Sequence, residues 1–137
     1  MLRDIKFTVE AAPLSTNHVY RRGANRRIFM TNEGQAFKDE IGWEAKKAMI
    51  GEQPWEGPVI VALWLYMPSK RGDAHNSEKL IFDALQDIVY KNDRQIVAHV
   101  CLSFVDKERP RMEIYATNDV ESFCFGRLKG GGFHMMG

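Results

Sequence analysis

The sequence predicts a single α/β or α+β domain in which a mixed β-sheet carries two main helices packed on it. Three observations lead there. Apolar residues alternate with period two near both ends, as in Ile5, Phe7 and Val9 or Met112, Ile114 and Ala116. Two stretches repeat apolar residues at helical spacing, and the most hydrophobic run, VIVALWLYM, lies between them. At 137 residues, 45% of them hydrophobic, the chain can fill one core and has no room for a second domain.

Taken in order, Ile5, Phe7 and Val9 alternate with Lys6 and Thr8 in a half-buried strand that Pro13 ends. Up to Arg27 the chain carries Ser15, Asn17, Gly23 and several arginines without helical apolar spacing, which reads as a long ordered loop or hairpin. Asn32 with Gln35 resembles a capping box, and Phe37, Ile41, Ala45, Ala48 and Met49 then follow as one face of an amphipathic helix, stopped by Gly51 and Pro54. Residues 58–67 are apolar at successive positions, as expected of a central strand covered on both faces, with Trp64 in the core; Pro68 closes it.

A loop over 69–75 leads into a second helix, where Leu80, Ile81, Ala84, Leu85 and Ile88 form one apolar stripe. After the turn KNDR, residues 97–105 read as a strand and Met112, Ile114 and Ala116 mark another, with 107–110 joining the two as a hairpin. From Thr117 onward glycines and single aromatics give no period. The expected division is a domain at 1–116 and a tail at 117–137 that is flexible or ordered by a partner, including at a dimer interface.

The net charge of +1 says little about partners, but its distribution is uneven. Between residues 14 and 30 stand Arg21, Arg22, Arg26 and Arg27 and no acid, whereas carboxylates dominate later stretches such as 83–87. Cys101 and Cys124 are too few for a disulfide framework, and neither has the close cysteine partner of a zinc ribbon. No stretch approaches the roughly 20 apolar residues of a membrane helix, and the start MLRDIKF lacks the apolar segment of a secretory signal; the expected location is the cytoplasm.

The chemistry concentrates between Asp73 and Asp93. Asp73 and His75 are one residue apart just before a helix, so in an extended segment both project to the same side and can hold one metal. A hard cation such as Mg²⁺ takes oxygen ligands and keeps waters for phosphates, and a helix N-terminus adds partial positive charge for the phosphate. Asp93 is the natural third ligand, Lys79 can stabilise charge developing on phosphorus, and Asn76 can cap the helix or hold a metal-bound water. Each has a plainer role available: Asp73 or Asn76 as a cap, Lys79 and Asp83 as a surface pair, Asp93 as a turn residue.

The run DAHNSEKLIFDAL, followed by YKNDRQI, resembles the RusA family of Holliday junction resolvases, in which D-x-D-N-x-x-K-x-x-x-D-A-L precedes D-D-x-Q-V. Pro13, Ser15, Asn17 and Tyr20 resemble the family's P-x-S-x-N-x-x-Y, and EGQAF resembles its first helix. The resemblance implies a RusA-like fold and a dimeric Mg²⁺- or Mn²⁺-dependent endonuclease of bacteria or their prophages. Such an enzyme nicks opposed strands of a four-way DNA junction in recombination and repair. Asp73, Lys79 and Asp93 match the family's catalytic positions, while His75 stands where a second aspartate is expected and Asn92 replaces the first member of the acidic pair. An imidazole in that place moves the site toward Mn²⁺ or another transition metal; the alternative is that His75 is a polar loop residue.

A helix from about residue 76 to 88 puts Asp73 and Asp93 roughly 20 Å apart, so either the loop before it folds back or the third carboxylate comes from a second subunit. Arg21, Arg22, Arg26 and Arg27, with Lys70 and Arg71, can neutralise phosphates flanking the cut; Asn17 and Tyr20 belong to the same surface, where Tyr20 can stack on a base. The alternative is that the arginines keep a polar loop soluble and Tyr20 packs on the sheet. Two symmetric sites on a homodimer suit the opposed strands of branched DNA, with Trp64, Phe104, Phe123, Phe125 and Phe133 as candidate interface residues. A non-catalytic module that binds branched DNA through a degenerate metal site is the competing function, and a zinc protein using His99, Cys101 and Cys124 is the third.

Overall fold

Of the 137 residues, the computed structural model of the chain describes 3–14, 20–23, 28–70 and 75–122, the side chains of Tyr20, Arg21, Phe29, His75 and Asn76 excepted. The elements are β1 (Asp4–Val9), β2 (Tyr20–Arg22), β3 (Ile28–Met30), α1 (Asn32–Ala48), β4 (Val59–Met67), α2 (His75–Leu85), β5 (Ile96–Val105) and β6 (Arg111–Thr117), with a 3₁₀ turn at Asp93–Gln95. Four strands form one mixed sheet in the order β1-β6-β4-β5, and β2 with β3 forms a separate two-stranded hairpin. Within the main sheet β4 and β5 run parallel, while β1–β6 and β4–β6 are antiparallel. The α+β arrangement expected from the sequence is the one observed.

Both helices lie on one face of this sheet. Ile5 and Val9 of β1, Val61, Leu63 and Leu65 of β4, and Met112 and Ile114 of β6 share one buried cluster with Phe37, Ile41 and Ala45 of α1 and with Leu80, Ile81, Ala84 and Leu85 of α2. Each fully buried Leu or Ile stabilises the fold by about 1.5–3 kcal/mol, so this face supplies most of the hydrophobic driving force. At the crossing of the helices, a Cβ on Gly42 would stand 3.3 Å from Ile88 Cδ1, which is why the smallest residue sits there.

Three expectations fail on the other face and at the turns. No described element covers the second face of β4, and Trp64 is half-buried there, with Lys6 Nζ 5.3 Å from its ring centroid, rather than in the core. On the same open face the Arg111 guanidinium lies 3.8 Å from the Tyr66 ring centroid, and Tyr66 stacks on Phe104 at 5.2 Å. Second, β5 and β6 are not a hairpin, because β4 lies between them. Their link turns over the end of β4 through Asp106, whose N–H donates to Met67 O and whose carboxylate accepts from the N–H groups of Glu108 and Arg109 and from Arg111 Nη1. Those donors, Arg109 N–H foremost and then Arg111, hold the Asp106 carboxyl below the usual range.

Third, α1 is capped by Thr31, whose Oγ1 accepts from Gly34 N–H at 3.1 Å, and not by Asn32; Gln35 instead donates to Asp39. Thr31 supplies the extended backbone that an N-cap needs, one residue earlier than the Asn-x-x-Gln spacing implies. No described helix is long and apolar enough to cross a membrane.

Candidate functional site

Because β5 starts beside Val59 and ends beside Met67, the chain leaving β4 at Met67 must return along the full strand length before β5 can begin. Helix α2 makes that return, with its N-terminus toward the Met67 and Val105 end of the sheet and its C-terminus toward the Val59 and Ile96 end. It begins at His75, so Asn76 lies in its first turn and not at the cap.

Two contacts fix the first turn of α2. Ser77 is buried, and its Oγ donates to Leu14 O at 2.9 Å, which roots the segment after β1 on the helix. Glu78 turns toward β5, with Oε2 3.8 Å from His99 Nδ1, while Phe82 meets the His99 ring edge-on at 5.3 Å. Burial, and then the neighbouring Glu78 carboxylate, push the Cys101 thiol up to about 12. Cys101 is therefore a protonated thiol at neutral pH. Lys79 is exposed one turn into α2 and makes no ion pair with a described residue.

At the other end, α2 finishes at Leu85 and the chain reverses through Asp87, which takes a positive φ of 68° and donates its N–H to Tyr90 O at 2.7 Å. Tyr90 is fully buried, and its hydroxyl donates to Phe82 O at 2.6 Å. Burial, reinforced by the nearby Asp93 and Asp83 carboxylates, raises its pKa. Asn92 then caps the 3₁₀ turn, its side chain accepting from Arg94 N–H at 2.9 Å. Asp93 opens the turn half-buried, with its N–H donating to Gln86 Oε1 at 3.4 Å. Its carboxylate accepts no hydrogen bond from a described residue.

Of the expected site, the structure therefore describes Lys79, Asp93, Arg22 and Lys70 with their side chains. Arg22 is exposed on the β2–β3 hairpin, and Lys70 is exposed after β4. Tyr20 and Arg21 are described as β2 backbone, and His75 and Asn76 as α2 backbone. Asp73, Asn17, Arg26, Arg27, Arg71 and the tail aromatics Phe123, Phe125 and Phe133, with Cys124, lie outside the described residues.

The helix length matters for the chemistry. Eleven residues rise about 16 Å, so His75 at the start of α2 and Asp93 beside Gln86 past its end stand a helix apart in one chain. Among the described residues no three His, Cys, Asp or Glu side chains cluster to hold a metal ion. The hydrogen bonds of Ser77, Gln86 and Gln95 are not readable from local spacing, although Gln95 stands at the glutamine of the D-D-x-Q-V pattern; their partners lie as far as 63 residues away.

The chain belongs to a family of endodeoxyribonucleases. That family is RusA: its model, Endodeoxyribonuclease RusA, matches residues 10–116, from just after β1 to the next-to-last residue of β6. The chain is 30% identical over 107 residues to the Crossover junction endodeoxyribonuclease RusA of Escherichia coli (strain K12), covering 77% of this chain and 88% of the relative. The protein of the same name from Shigella sonnei (strain Ss046) matches at the same identity and coverage.

Proposed function

We propose that this chain is a divalent-metal-dependent endonuclease that resolves four-way DNA junctions by paired nicks, and that it works as a homodimer with sites shared between subunits. One observation carries the reading. The family match runs through the whole stretch holding Asp73, Lys79 and Asp93, and within that stretch the half-buried Asp93 carboxylate is left uncommitted by the described residues. Two carboxylates and an imidazole make a donor set that fits a divalent cation, with the imidazole favouring Mn²⁺ over Mg²⁺. Asp73, His75 and Asp93 are the residues that would hold the ion, which when bound acidifies a water and polarises the phosphate. Lys79 meets the negative charge gathering on phosphorus, and the N-terminus of α2 adds its dipole.

Sharing follows from the separation along α2 and from the outer strand. Among the described residues β5 is hydrogen-bonded to β4 alone; it is ten residues long and contains no Asp, Glu, Lys, Arg or Pro. Val97, Val100, Phe104 and Val105 on it are 37–59% exposed. Long edges without Asp, Glu, Lys, Arg or Pro invite pairing, and apart from a register shift that skips Val97, the strand keeps a regular register with β4 from Ala98 to Val105. Antiparallel pairing with β5 of a second copy obeys a two-fold axis and sets the Ile96 end of one strand against the Val105 end of the other. Asp93, three residues before Ile96, then approaches the start of the other copy's α2, where one chain alone cannot reach.

The basic hairpin is the proposed DNA contact. Arg22, with Arg21, Arg26, Arg27, Lys70 and Arg71, would neutralise backbone phosphates while Asn17, Tyr20 and Asn76 line the approach, so affinity for a junction should fall steeply with salt. Incubating the purified chain with a synthetic four-way junction and Mg²⁺ or Mn²⁺, beside a linear duplex of the same sequence, tests the function. Symmetric nicks in the junction alone are expected. Tight junction binding without nicking in either metal would instead favour a non-catalytic branched-DNA module, and equal cutting of the linear duplex would contradict junction specificity.

A further inference from the structure

The Gln95 side chain is committed at all four of its hydrogen-bonding positions. Its Oε1 accepts from Lys91 N–H at 2.9 Å and from Asn92 N–H at 2.8 Å, while its Nε2 donates to Trp55 O and to Gly57 O, both at 2.8 Å. One amide thus closes the turn that carries Asp93 and fastens it to the segment leading into β4, 38–40 residues away in sequence. Lys91 adds weaker ties to the same segment, its N–H 3.3 Å from Trp55 O and its Nζ 3.5 Å from Glu56 Oε1, both at the start of the turn; around Asp93 itself the remaining bonds are local, with Asn92 Oδ1 receiving Arg94 N–H and Gln86 Oε1 receiving Asp93 N–H. Asp93 follows Asn92 directly, so whatever fixes the backbone at 91–95 fixes the Cα–Cβ direction from which its carboxylate projects.

We infer that Gln95 is a positioning residue for the metal-binding carboxylate of Asp93, acting through the turn and touching neither metal nor DNA; this rests on the reading of Asp93 as a ligand. Removing its hydrogen bonds without changing its bulk leaves the carboxylate present but free to wander. Losses of orienting groups around metal ligands weaken binding by about 10–100-fold, and that is the range expected here.

The test uses the full chain as Gln95→Met, with Gln95→Glu and Asp93→Asn beside it, and reads two quantities: the rise in Tm on adding Mn²⁺ without DNA, and the Mn²⁺ concentration giving half-maximal junction cleavage. Gln95→Met is expected to need at least about tenfold more Mn²⁺ on both readings while binding the junction in metal-free buffer as the parent does. Gln95→Glu keeps the acceptor for Lys91 and Asn92 but sets an oxygen against Trp55 O and Gly57 O, so it should fall between the two and serves as the deciding variant if Gln95→Met does not fold. If Asp93→Asn loses its Mn²⁺ response while both Gln95 variants keep the parent's, the positioning role is overturned and the ligand reading stands. If Asp93→Asn keeps the full response, the ligand reading fails, and the role assigned to Gln95 falls with it.

Discussion

The proposed cation role of Asp93 rests on a carboxylate that no described residue hydrogen-bonds: Gln86 holds its N–H while Asn92, and not Asp93, caps the turn. Asp93→Asn should therefore lower junction cleavage by about 10²-fold or more while leaving junction binding in metal-free buffer intact, as band-shift and nicking assays on one preparation would reveal. His75→Asp restores an oxygen ligand and should lower the Mg²⁺ concentration needed for cleavage; an unchanged metal preference would mean that His75 is no ligand. Cys101 gives a pH test of the fold. Its thiol is raised from 9.0 to about 12, so the stability it contributes is fully present below pH 9 and is lost as pH climbs toward 12. Denaturation midpoints of Cys101→Ala should decline less between those values than the parent's. At this scale Asp73, Lys79 and Asp93 could be named as candidates because their spacing is local, and Gln95 stands in the same pattern, but the bonds of Ser77 to Leu14 and of Gln95 to Trp55 and Gly57 could not be read, since those partners are distant in sequence.

Elements were legible where they depend on periodicity and illegible where they depend on partners. The stripe Leu80, Ile81, Ala84 and Leu85 announced α2, and alternation announced β1 and β6. Alternation is blind to which strand lies alongside, so the insertion of β6 between β1 and β4 could not be read, and a short link between β5 and β6 looked like a hairpin. Trp64 misled for a related reason: a hydrophobic run on a central strand implies cover on both faces, but aromatic rings stacked under Lys6 and Arg111 are half-protected on a face that no described element covers. The α1–α2 crossing makes a sharper demand. Gly42→Leu forces a side chain into Ile88 Cδ1 and Ala84 O, and chemical denaturation should report a loss of about 1–3 kcal/mol.

For the molecule as a whole, the outer strand β5 joins the fold to the proposed chemistry. Among the described residues the sheet ends on a ten-residue edge without Asp, Glu, Lys or Arg, and the helix beside it separates His75 from Asp93 by its own length. A second copy meeting that edge antiparallel answers both. Val100→Lys places a charge on the strand and should shift the chain toward a monomer in sedimentation while abolishing paired nicking. The most direct measurement mixes subunits. Asp73→Asn and Asp93→Asn chains, each inactive alone, are co-expressed with different tags, and the mixed dimer is purified and given a four-way junction with Mn²⁺. With shared sites, each mixed dimer holds one site with both aspartates intact, and single-strand nicking returns. A mixed dimer as inactive as either parent would contradict the account, placing all the ligands of each site within one chain.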